Sequence, residues 1–122
     1  MTIHAISGAI RVEENASEAI LGATAELVTA VLTRNGLVAD DVVSVLLTAT
    51  PDLTAAFPAR GARLTGLHEV PLMCAHEPPV PGGMTGVVRL VAHVDVERPR
   101  SELRHVYLRG AEASYGAEMA SR

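Results

Sequence analysis

From Val87 to Val96 the chain alternates without interruption. Val88, Leu90, Ala92, Val94 and Val96 fall on one side, and Val87, Arg89, Val91, His93 and Asp95 on the other. Period two is the spacing of a strand, and this is the longest strand the sequence predicts. A strand with one wholly apolar side needs a sheet whose covered face carries the core. That core has to be aliphatic, because Phe57, Tyr107 and Tyr115 are the only aromatic residues in a chain that is 48% apolar. The 122 residues fit one domain, 1–122, which buries roughly two-thirds of the surface its unfolded chain exposes.

The rest of the chain supplies partners for that strand. Thr2 to Ile10 reads as an opening strand punctuated by Gly8. Asn15 and Glu18 have the spacing of a capping box. Behind them Ile20, Leu27, Val28, Val31 and Leu32 share one helical face, with Gly36 as the stop. Val42 to Thr48 is apolar and β-branched almost throughout, the pattern of a strand covered on both faces. Thr54 then caps a second helix over Ala55–Thr65, with Pro58 in its first turn and Gly66 closing it.

Val70, Leu72 and Cys74 alternate in a third strand, which Pro71 assigns to an edge or a bulge. Pro99–Arg104 is a short helix or turn, and His105–Arg109 a last strand. The segment 110–122 is small, polar and weakly patterned, and is expected to fray. The order predicts an α+β domain with a mixed sheet and two main helices.

Several function classes are excluded at this level. A net charge of −4 argues against nucleic acid, where affinity rests on clustered cations. The ten basic residues are all arginine. No run approaches the ~18 apolar residues of a membrane span. Met1–Arg11 lacks the pattern of a signal peptide, so a cytoplasmic location is expected. Cys74 is the one cysteine, and the five histidines match no zinc spacing, so neither a metal nor a cofactor is expected.

The residues able to carry chemistry are few. Arg89 sits mid-strand among valines, where a guanidinium is costly unless an acceptor meets it or its face is open to water. Glu77 opens the rigid loop Glu77-Pro78-Pro79-Val80-Pro81-Gly82-Gly83, which suits a carboxylate held for a ligand and equally one that is merely solvated. Cys74 reads as a small hydrophobe. Arg60 and Arg63 lie three apart on the second helix, the spacing of a shared and solvated face. Tyr107 alternates with His105 and Arg109, and spacing alone leaves it pocket or core.

Taken together, these stretches resemble the monofunctional, AroH-type chorismate mutases. The resemblance rests on Thr48-Ala49-Thr50-Pro51-Asp52-Leu53 followed by Ala56-Phe57-Pro58-Ala59-Arg60. It rests also on Val70-Pro71-Leu72, Glu77 before Gly82-Gly83, Arg89 in its valine-rich strand, and Arg104-His105-Val106-Tyr107-Leu108. It runs from about Ile3 to Arg109. It implies a pseudo-barrel homotrimer with sites between subunits, and the cofactor-free rearrangement of chorismate to prephenate. By the family pattern Arg89 donates to the breaking ether oxygen. Glu77 accepts from the ring hydroxyl beside the Cys74 position, and Tyr107 holds a substrate carboxylate. Phe57 packs on the substrate, and Arg63, with Arg60 on the same helix, adds positive potential at the mouth.

Two departures from the pattern fall on carboxylate recognition. Ser7 stands where the family carries an arginine that binds a substrate carboxylate. Ala111-Glu112-Ala113-Ser114-Tyr115-Gly116 lacks the leucine and arginine that close the family's site. Each lost charged hydrogen bond weakens binding by ~1.5–3 kcal/mol. The resemblance therefore implies an impaired mutase. The alternatives are a relative acting on another small dicarboxylate in secondary metabolism, or a catalytically silent trimeric binding or partner subunit.

Overall fold

The computed structural model describes residues 2–113. The alternating stretch forms β4 (Val87–Asp95), the middle strand of a five-stranded sheet. The other strands are β1 (Ile3–Arg11), β2 (Val42–Ala49), β3 (Leu72–His76) and β5 (Val106–Leu108), in the order β3-β2-β4-β1-β5. β4 runs antiparallel to both neighbours, while β2 with β3 and β1 with β5 are parallel. The sheet is therefore mixed, and the fold is α+β.

Two helices, α1 (Ser17–Arg34) and α2 (Pro58–Arg63), cover one face of this sheet. Against them lie Ile6, Ile10, Val45, Leu47, Val88, Leu90, Ala92 and Val94, all buried. α1 turns Ile20, Leu27, Val28 and Val31 to the core as its periodicity predicts. Its end is a Schellman turn: Leu37 N–H reaches Leu32 O at 2.8 Å and Gly36 N–H reaches Thr33 O at 3.2 Å, with Gly36 at φ 60°. Among the described residues no helix is long and apolar enough to cross a membrane.

Some sequence expectations change. β2 is covered on one face only, so Val43 and Leu46 remain 46% and 45% exposed. The reason is that both helices pack on the same side, and continuous hydrophobicity in a strand does not say what covers its second face. Asn15 does not cap α1, whose N-cap is Ala16 with no side-chain bond. Its Oδ1 instead accepts the N–H groups of Thr54 and Ala55, both at 2.9 Å, so the residue ties the α1 entrance to the turn ahead of α2.

α2 starts at Pro58 rather than Ala55, and its cap is Phe57, not Thr54. The proline ring disfavours helical dihedrals in the residue before it, and Phe57 is accordingly extended at φ −82°, ψ 120°. β3 begins at Leu72 rather than Val70, because Pro71 offers only its carbonyl, which accepts from Val45 N at 3.0 Å. It is the edge strand Pro71 indicated. Of the segment expected to fray, 114–122 lies outside the described residues. Ahead of it, Ala111–Ala113 forms a short 3₁₀ turn with Ala111 fully buried.

Candidate active site

On the face of the sheet that the helices leave open, strand register lines up the polar side chains. Thr48 of β2 pairs with Arg89 of β4, which pairs with Ala9 of β1, which pairs with Tyr107 of β5. Glu77 joins them because its N–H continues the β2–β3 ladder, donating to Ala49 O at 2.8 Å. One Glu77 oxygen accepts a short hydrogen bond from the Thr48 hydroxyl, and the same oxygen lies 3.4 Å from Arg89 Nη1. The pair is partly solvated, with 41% of the arginine side chain and 20% of the glutamate exposed.

In the neighbouring register, Ser7 sits opposite Val91, which pairs with Leu46. Ser7 Oγ is 2.6 Å from the Tyr107 hydroxyl, and the Ser7 N–H donates to His105 Nδ1 at 3.0 Å. Ser7, Leu46, Thr48, Glu77, Arg89 and Tyr107 together line an open cleft of 310 Å³. The cleft offers a fixed cation, a carboxylate and three hydroxyls over a partly apolar floor. Such a set can bind an oxyanion or ether oxygen at Arg89 while accepting a hydroxyl at Glu77.

A second cleft of 410 Å³ lies between α2 and the β3 edge, lined by Phe57, Arg60, Cys74 and His76 among others. Phe57 is 71% exposed there. Burial pushes the Cys74 thiol up, against a backbone hydrogen bond from Ala59 that pulls it down. Cys74 and Glu77 thus line different clefts of one chain, although only two residues separate them, because strand neighbours at odd spacing point to opposite faces. The two clefts have no lining residue in common.

Arg63 is in neither lining. Its Nη1 donates to the carbonyls of Leu67, His68 and Val70, bracing the turn that follows α2. Sequence reasoning gave no role to Thr48, His105 or Asp52. The signal for Thr48 was its place two residues from Leu46, on the open face of a strand covered once rather than twice. Asp52 accepts the Gly86 N–H at 3.0 Å and so pins the turn entering β4. Partial burial pushes the Asp52 carboxyl up, but hydrogen bonds from Thr50 and from the Gly86 and Asp52 amides outweigh it and hold it below the usual range. Among the described residues no cluster of three or more His, Cys, Asp or Glu forms a metal-binding group.

The profile of the family described as chorismate mutase type I matches residues 3–114. Chorismate mutase AroH of Thermus thermophilus is 46% identical over 110 residues, spanning 89% of this chain and 90% of that protein. The Bacillus subtilis chorismate mutase AroH is 41% identical over 109 residues, spanning 88% and 86%. The solved structure of a chorismate mutase from Clostridium thermocellum superposes with a TM-score of 0.88 at 39% identity, covering 90% of this chain and 98% of that one.

Proposed function

The chain belongs to the type I chorismate mutase family, and from that premise we propose how its own residues carry out the reaction. It is an isomerase that converts chorismate to prephenate by a Claisen rearrangement, a step toward the aromatic amino acids. The ether C–O bond breaks as a C–C bond forms, and negative charge grows on the departing oxygen. Arg89 donates to that oxygen. Glu77, held by Thr48, accepts from the ring hydroxyl, and Tyr107, hydrogen-bonded to Ser7, meets a substrate carboxylate.

The observation that carries this reading is the Arg89–Glu77 pair at 3.4 Å on the open sheet face. It presents a donor and an acceptor at fixed separation before substrate arrives. An acceleration of ~10⁶ needs ~8 kcal/mol of transition-state stabilisation. One preorganised donor supplies ~2.7–4 kcal/mol of it. Holding the substrate in its compact reactive conformer contributes the rest.

The site is completed by a second copy of the chain. Phe57, Arg60 and Cys74 of one copy close over the Arg89 cleft of the next, in a homotrimer of pseudo-barrel form, and Arg63 adds positive potential near that mouth. Support comes from the two separate clefts, and from the row Met73–Leu46–Val91 across the open face, where Met73 is 65% and Leu46 45% exposed. An apolar row of this kind marks an association surface. Residues 1–122 act as one domain, and a cytoplasmic setting accords with the single cysteine.

The test is to incubate purified protein with chorismate, follow loss of its ring-diene absorbance and identify the product. Conversion to prephenate is expected, from a species of three times the chain mass in sedimentation. Undiminished chorismate at high protein concentration overturns the reading, and a monomeric active species overturns the shared site.

A further inference from the structure

The group Ser7, His105 and Tyr107 contains an ordering of hydrogens that the reaction scheme does not require. β1 and β5 pair only from Gly8 with Val106 onward. Just before that point the Ser7 amide has no strand carbonyl to meet, and His105 Nδ1 takes its place at 3.0 Å. A ring nitrogen that accepts an N–H carries no hydrogen of its own, so the imidazole proton is on Nε2.

The Ser7 hydroxyl therefore has two acceptors of unequal quality. His105 Nδ1 is 3.4 Å away with its lone pair already engaged, whereas Tyr107 Oη is 2.6 Å away. Only one hydrogen lies on the short line between the two oxygens. If Tyr107 supplied it, the Ser7 hydrogen would have the long contact or the open cleft, and no short bond within the protein. If Ser7 supplies it, Ser7 is satisfied and the Tyr107 hydrogen turns toward the cleft that both residues line. A phenol that accepts one hydrogen bond also donates a stronger one.

We propose that Ser7 is a positioning residue that aims the Tyr107 O–H at an anionic oxygen of the bound substrate, with His105 fixing Ser7 through its backbone. This rests on the chorismate reading of the cleft. The relay acts on the carboxylate end of the ligand, away from the bond that breaks, so it governs binding rather than the chemical step.

The experiment is a double-mutant cycle read as KM against kcat, with neutron diffraction of the wild-type protein beside it. Ser7→Ala is expected to raise KM about 3–10-fold while kcat stays within about two-fold. Tyr107→Phe is expected to raise KM at least as much, and the double variant no further than Tyr107→Phe alone. Ser7→Thr, which keeps the hydroxyl, restores KM. Additive KM effects, a loss in kcat with KM unchanged, or failure of Ser7→Thr to rescue overturns the relay.

If the wild-type protein leaves chorismate untouched, the functional reading fails, and neutron diffraction decides the relay separately. A deuteron on Ser7 Oγ directed at Tyr107 upholds it, and a Tyr107 deuteron directed at Ser7 overturns it.

Discussion

Arg89 Nη1 and Glu77 Oε2 face each other at 3.4 Å, from a central strand and from the loop leaving the edge strand. One strand, β2, separates them in the sheet, and the hydroxyl of its Thr48 bonds the same carboxylate oxygen. The Glu77 carboxylate is thus fixed from both sides, by a charge and by a hydroxyl.

Thr48 should therefore matter to turnover although it need not touch substrate. Thr48→Val removes the hydroxyl at nearly constant shape and leaves Glu77 with Arg89 alone. A hydrogen bond to a charged group is worth ~1.5–3 kcal/mol, so kcat/KM is expected to fall at least ~10-fold. Thr48→Ser should retain most of the activity. Steady-state kinetics of the two variants checks this, and an unaltered Thr48→Val enzyme would show that Arg89 alone is enough to orient Glu77.

Ser7→Arg tests whether a substrate carboxylate reaches the Ser7 end of the cleft. A guanidinium on β1 beside Tyr107 adds a charged contact to a substrate carboxylate, and KM for chorismate is expected to drop by ~10-fold or more. An unchanged KM would mean that no carboxylate reaches this part of the cleft.

Gly61 sets the distance between the helices. A Cβ there would lie 2.6 Å from Leu21 O and 2.8 Å from Thr24 Cβ, both on α1. Backbone and a buried side chain cannot yield cheaply, so Gly61→Ala should cost about 1–3 kcal/mol despite its better helix propensity. Thermal unfolding should show a lower Tm. A raised Tm would contradict the close α1–α2 approach.

Asp52 predicts an acid limb. Its carboxyl is held below the ordinary range in the fold, so ionised Asp52 contributes stability that is fully present above the unfolded value near pH 4. That contribution is lost as pH falls through the folded value. Asp52→Asn should flatten the fall in stability below about pH 4 relative to wild type, in urea titrations run from pH 6 to pH 2.5. Parallel curves for the two proteins would remove Asp52 from the acid limb.

Much of the framework was legible in the sequence, because it is written in local periodicity. The β4 alternation and the Ile20–Val31 face of α1 both appear in the fold where they were expected. What escaped depended on residues far apart in the chain. Asn15 had the spacing of a cap, but its side chain is taken by Thr54 and Ala55. Val42–Thr48 looked buried on both faces, since hydrophobicity does not say that both helices choose the same side. Thr48 acquired its role from the β2–β4 register that sets it opposite Arg89. The resemblance puts Glu77 and Arg89 in one site, and their direct contact follows from the β2–β4 register together with the ladder that carries Glu77 past β3.

The most direct test of the account is chorismate turnover by wild type and Arg89→Ala side by side, with circular dichroism to confirm that both are folded. The account predicts conversion to prephenate by the wild type and a loss of ~10²–10³ in kcat for the variant, the cost of removing a donor at the developing charge. Equal turnover by the two folded proteins would contradict it, because the ether oxygen would then have to be stabilised elsewhere.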